Sequence, residues 1–252
     1  MARPVAVWIH TLVSVGLVSA IPLGGLLLAR GKPGFLQRIV LPLVSFAVGA
    51  LLGGALLHLV PEAIERIGPG PALSFYLLAG FLGFFAVEKF LWSHDHGDRG
   101  GARRVTPLAA LNLLGDALHN VIDGAVIAAA YSADLAVGVA ATVAVFLHEV
   151  PQELGDFGVL VYGGLAPRRA VWFNFLSGLA ALLGAVVTLT IGRAATGLTD
   201  ALLPIAAGSF LYIAASDLIP ELRRERRVGT SLWQLGLVLL GVAVMALPLL
   251  LE

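Results

Sequence analysis

Apolar residues run through this chain in long blocks, separated by short breaks that are charged or rich in Gly and Pro. A helix crossing the hydrocarbon core of a bilayer needs about 20 mainly apolar residues. Eight windows meet that requirement, at about 5–29, 38–62, 71–92, 107–131, 134–162, 169–192, 199–221 and 230–250. Breaks such as Pro33-Gly34, Gly68-Pro69-Gly70-Pro71 and Ala166-Pro167 mark the helix ends. The pattern predicts an all-α membrane protein with eight transmembrane helices, and residues 1–252 form a single transmembrane unit with little chain left for a soluble head.

Composition points the same way. The chain is 58% hydrophobic and 13% charged, and its mean hydropathy is +0.92. A soluble domain carries about 25% charged residues, so lipid is the expected solvent for most of the surface. With no cysteine, disulfides, thiolate metal sites and thiol catalysis are excluded. A net charge of zero leaves no global field to draw nucleic acid. The run from Val5 to Ala29 is too long for the core of a cleavable signal and reads as a span that stays.

The basic residues set an orientation. With the N-terminus outside, the connections after spans one, three, five and seven face the cytoplasm. Those connections and their flanks hold all of the 16 Lys and Arg except Arg3, Arg66 and Arg193. The positive-inside rule predicts such a bias for a correct span count, and both termini are then extracytoplasmic. Spans two and seven also end alike, in His58-Leu-Val-Pro61-Glu62 and Asp217-Leu-Ile-Pro220-Glu221, on opposite faces. That likeness suggests an inverted repeat in a 3+2+3 arrangement, with a central pair flanked by three spans on each side.

The central pair carries what a lipid-buried helix should not. An Asp, Lys or Arg at a helix centre costs about 2.5–3.5 kcal/mol on insertion. Yet span four holds Asn112, Asp116, His119, Asn120 and Asp123, and span five holds His148, Glu149, Gln152, Glu153 and Asp156. The first set recurs at helical spacing and forms one polar stripe. In the second, His148 and Gln152 are four apart, as are Glu149 and Glu153. Antiparallel neighbours would bring the stripes face to face around a cation. Imidazole and carboxylate donors without sulfur suit zinc and other first-row divalent ions. Pro151 inside span five frees the carbonyl of Leu147 from its helical partner, and irregular backbone survives at this depth where it lines a cavity. A lone buried His or Asn is ordinarily an interhelical hydrogen bonder, but two facing stripes exceed that reading.

Other positions are less sharply defined. Asn174 and Ser177 on span six read as packing hydrogen bonders first, with Asn174 a further candidate near the ion. His58 and Glu62 are candidates for an entrance, and Asp217 and Glu221 for the cytoplasmic end of the pathway. His94 and His96 could meet a metal in the loop after span three, although a solvated turn explains them as well. His10 has no visible partner in the sequence.

His119-Asn120-x-x-Asp123-Gly124, followed by His148-Glu149-Val-Pro151-Gln152-Glu153-Leu-Gly-Asp156-Phe157, resembles the paired signature of the ZIP (Zrt/Irt-like protein) divalent-metal transporters in its LIV-1-like form. The likeness covers almost the whole chain, including His58-x-x-Pro61-Glu62 and Asn174-Phe-Leu-Ser177-Gly. The resemblance implies a binuclear-type centre between spans four and five. His119, Asp123, His148 and Gln152 would share one metal position; Asn120 and Glu149 would form a second, with Asp123 able to bridge. Asp116, Glu153, Asp156 and Asn174 are candidates for ligation or for supporting the ligands. Gln152 departs from the family, which commonly places His or Glu there, and a neutral amide is a weaker ligand. The resemblance further implies import of divalent metal, with zinc commonest and iron, manganese or cadmium as alternatives, and a homodimer as one assembly. Compact loops suggest a prokaryotic inner membrane. The competing readings are an intramembrane metal-dependent hydrolase, for which the HExxH pattern is missing, and a proton or solute carrier.

Overall fold

In the computed structural model, residues 2–31, 33–94, 106–192 and 196–247 are described. Every regular element among them is helical. Eight helices are long and apolar enough to cross a membrane: Val5–Ala29, Gly34–Ile67, Pro71–Phe90, Pro107–Ala133, Leu135–Tyr162, Pro167–Ile191, Asp200–Leu222 and Val228–Ala246. They are called spans one to eight below. Prolines open several of them, where a missing N–H leaves nothing unsatisfied. Asp134 alone separates spans four and five. Its extended backbone reverses the chain and its carboxylate accepts from Ala136 N at 2.8 Å, capping span five. Gly68, with φ of +78°, stops span two in a conformation that disfavours side chains.

Span two runs past the expected 38–62, from Gly34 to Ile67. The extension passes through Pro61 by way of a π-helical turn at Gly54–Leu59, in which Val60 N–H reaches back to Ala55 O. Proline cannot donate, and widening the preceding turn redistributes the carbonyls that it leaves free. Span seven repeats the device: a π-helical turn at Ile213–Leu218, with Ile219 N–H bonded to Ala214 O, precedes Pro220. The two Pro-Glu ends that are alike in sequence are therefore alike in backbone.

Spans one and six are interrupted near mid-length. Span one tightens to a 3-10 turn at Ile21–Gly24 around Pro22, and span six breaks at Leu179. The breaks meet, because buried Ser19 donates its hydroxyl to Gly178 O at 2.8 Å.

Three further pairs of spans touch through reciprocal glycines. A Cβ on Gly49 would lie 2.0 Å from Val238 O, and one on Gly241 2.4 Å from Phe46 O. Between spans three and seven, Gly80 meets Ile205 O at 2.0 Å and Gly208 meets Leu77 O at 2.1 Å. Between spans four and six, Gly124 meets Ala181 O at 1.8 Å and Gly184 meets Val121 O at 1.9 Å. In every case the carbonyl belongs to the residue three before the partner glycine. Small residues of this kind let helix backbones close to Cα–H···O distance, which carries helix association where lipid offers no hydrophobic gain.

The largest apolar cluster, including Val48, Leu51, Leu111, Ile122, Phe210 and Ile213, fills the space among spans two, three, four and seven. The outer surface is apolar too: Leu27, Phe75 and Val228 are each more than 70% exposed. Polar side chains are gathered inward, the reverse of a water-soluble protein.

Candidate metal centre

Span four turns its whole polar stripe inward; Asn112, Asp116, His119, Asn120 and Asp123 are each 5% exposed or less. Span five presents Glu149, Gln152, Glu153 and Asp156, all buried as well, with His148 at the edge. Close approach of span five to span two makes room for this, since Cβ atoms on Gly155 and Gly158 would strike Ala47 and Leu43 at 3.0 and 2.4 Å.

One atom from each of His119, Asp123, His148 and Glu149 lies within 4.8 Å of all the others. His148 Nε2 is 3.1 Å from Asp123 Oδ2. His119 Nε2 is 3.3 Å from Glu149 Oε1 and 3.5 Å from Asp123 Oδ2. Bonds of about 2.0–2.1 Å to a tetrahedral zinc place neighbouring donors about 3.3 Å apart, so three of these separations already match the edges of such a site. Two neutral imidazoles and two carboxylates balance the charge of one dication. Both ring nitrogens of His119 and both carboxylate oxygens of Glu149 lack hydrogen-bond partners although buried, and an ion is what such atoms lack.

A cavity of about 320 Å³ leads to this group, lined by His58, Glu62, Glu65, His119, Asp123 and His148 among others. Glu65 marks the exposed mouth. Glu62 is held there by Arg66 at 2.7 Å, and Arg66 also faces Asp200 at 3.6 Å. The rings of His58 and His148 are 5.5 Å apart between centroids.

Deeper in the bundle is a second polar layer built on amide–carboxylate pairs. Asn112 Nδ2 donates to Asp156 Oδ1 at 3.0 Å, and Asn120 Nδ2 to Asp116 Oδ1 at 2.9 Å. Asn174 of span six donates to Glu153 Oε2. Ser177 instead ties span six to span four through Leu113 O at 2.9 Å.

The candidates thus separate. His119, Asp123, His148 and Glu149 form the tight group, and Glu149, which the family resemblance puts at a second position, stands against His119. Asn120 and Gln152 are buried beside it, with the Gln152 amide nitrogen unpartnered. Asp116, Glu153, Asp156 and Asn174 make the deeper layer. His58 and Glu62 line the cavity, whereas Asp217 and Glu221 do not; Glu221 is paired with Arg224 at 2.9 Å. His96 lies outside the described residues, as does the side chain of His94. His10 stacks on Tyr131, with ring centroids 5.9 Å apart. Two residues not singled out in the sequence join the picture. Glu65 sits at the cavity mouth, and Glu88 of span three accepts from Tyr212 OH of span seven. A carboxylate within an apolar window was the signal available for Glu88.

A sequence profile described as ZIP zinc transporter matches residues 5–104 and 93–248. The chain belongs to the ZIP zinc transporter family. It is 30% identical over 338 residues to Zinc transporter SLC39A7 of Rattus norvegicus, across 96% of this chain and 72% of that protein. It is 35% identical over 221 residues to Zinc transporter ZIP13 of Pongo abelii, across 81% of this chain and 65% of that one. Zinc transporter zipt-7.1 of Caenorhabditis briggsae is 28% identical over 278 residues, with 83% and 71% covered. These relatives agree with the LIV-1-like form of the paired signature. Family membership makes the chain an integral, multi-pass transporter of divalent metal. It is not an enzyme, and the hydrolase reading falls.

Proposed function

We propose that this protein imports a divalent cation, zinc foremost, into the cytoplasm, and that the ion is held between spans four and five by His119, Asp123, His148 and Glu149. Asn120 and Gln152 line a second position that shares Asp123. The observation that carries the reading is the meeting of four buried donors at metal-like spacing at the base of a cavity whose mouth holds Glu62 and Glu65. Those mouth carboxylates attract cations and raise their local concentration. His58 and Glu62 form the entrance; Asp217 and Glu221 belong to the cytoplasmic end of the path.

Direction rests on the placement of basic residues. Arg30, Arg168, Arg169, Arg223 and Arg224 fall at connections on one side, which the positive-inside rule makes cytoplasmic. The termini and the cavity mouth are then extracytoplasmic, and the cavity opens on the side from which the metal comes. The 3+2+3 inverted repeat is supported by the paired π-helical turns, by the joined breaks of spans one and six, and by the glycine contacts. Exchanging spans one to three with six to eight maps the two–eight contact onto the seven–three contact. Compact loops suit a prokaryotic inner membrane.

Proteoliposomes loaded with a zinc-sensitive fluorophore test the reading. External zinc should enter with the wild-type protein, and His119→Ala and Asp123→Ala should each lower the rate at least about tenfold, the scale on which even supporting groups of a metal site matter. Normal flux in both variants, reconstituted to equal density, sinks the site assignment.

A further inference from the structure

The deeper layer has an unusual hydrogen-bonding balance. Asn112 spends its amide hydrogens on Asp156, Asn120 on Asp116 and Asn174 on Glu153. Left over are Asn112 Oδ1, Asp116 Oδ2, Asp156 Oδ2 and Asn174 Oδ1, all buried and all without a partner. Each residue that carries them is 1% or 2% exposed. Every one of these atoms is an acceptor, and spans four and five contain no Lys or Arg to meet them.

The charges are unbalanced in the same way. One dication among His119, Asp123, His148 and Glu149 is matched by the two carboxylates there. Asp116, Glu153 and Asp156 remain, close enough for their charges to interact, with no opposite charge of their own. Isolated buried carboxylates are strongly unfavourable unless paired or bound to a cation. Carboxylate and carboxamide oxygens without nitrogen or sulfur are the donor set of hard divalent ions.

We infer that Asn112, Asp116, Glu153, Asp156 and Asn174 form a separate, oxygen-only site for a divalent cation. It lies one to two helical turns beyond the histidine group; seven residues from Glu149 to Asp156 span about 10 Å along the helix. This inference builds on the transport reading above and extends it. An ion leaving imidazole donors would enter a cage of purely oxygen ligands, in which a hard ion such as manganese competes well. Span six contributes through Asn174, so the site exists only while spans four, five and six stay packed.

Pulsed electron paramagnetic resonance of Mn2+ added to the purified protein in lipid nanodiscs separates the positions, because imidazole nitrogen modulates the signal and oxygen ligands do not. His119→Ala/His148→Ala protein should still bind one Mn2+, without imidazole modulation. Glu153→Gln/Asp156→Asn protein should bind one Mn2+ fewer than wild type and keep the imidazole-coordinated ion, which also reports that the bundle is intact. Loss of all Mn2+ binding in the histidine variant overturns the oxygen-only site, as does an unchanged Mn2+ count in the carboxylate variant. The imidazole modulation in wild-type protein reports on the histidine group independently, so the two readings fail by different signals.

Discussion

The reciprocal glycines make a quantitative prediction about span four. A methyl group at Gly184 would lie 1.9 Å from Val121 O, whereas carbon and carbonyl oxygen settle at about 3.3–3.6 Å. Gly184→Ala must therefore drive spans four and six apart by about 1.5 Å. The displacement removes the mutual Cα–H···O contacts, worth about 0.5–1 kcal/mol each. It adds overpacking strain of about 1–3 kcal/mol, so the total loss should be near 2–3 kcal/mol. Gly236→Ala on span eight is the control: no atom lies within 4 Å of its Cβ position, and the gain in helix propensity should leave stability equal or slightly higher. The contact is reciprocal, with Gly124 meeting Ala181 O at 1.8 Å. One separation relieves both clashes, so Gly124→Ala/Gly184→Ala should cost clearly less than the sum of the single changes. Equilibrium unfolding of the detergent-solubilised protein by SDS titration measures all four variants. If Gly184→Ala is as stable as Gly236→Ala, or the double variant is strictly additive, spans four and six are not packed backbone to backbone.

Gln152→His should tighten zinc binding by about tenfold, since imidazole replaces a neutral amide whose nitrogen has no partner; isothermal titration checks it, and weaker binding would place residue 152 outside the ligand set. Tyr131→Phe removes the hydroxyl that meets Ser14 Oγ at 2.8 Å and Thr142 Oγ1 at 3.4 Å. The loss should be about 0.6 kcal/mol, typical of hydrogen bonds between membrane helices, read by the same SDS titration with transport unchanged. Glu65→Gln at the exposed mouth should raise the zinc concentration giving half-maximal uptake while leaving the maximal rate intact, and the difference should shrink at high salt; a lowered maximal rate would point to a role at the ion site itself.

The eight helices were legible in the sequence because hydropathy is local: about 20 apolar residues define a span whatever surrounds them. The stripes on spans four and five were legible for a related reason. Helical spacing fixes which residues share a face, and ionisable groups at that depth are too costly to be incidental. Tertiary structure alone decided the rest. Nothing in the order of residues distinguishes Gly80 or Gly241, each set against a backbone carbonyl, from Gly16 or Gly236, which face open space; that difference lies wholly in the neighbouring helix. Span six showed no reason in sequence to hold Glu153, yet Asn174 reaches it because glycine packing draws spans four and six together. Glu149 likewise joins His119 through the rotation of one helix against another, a quantity set by side-chain packing across the interface and not by spacing along either chain. Periodicity chose the faces, and packing chose which faces met.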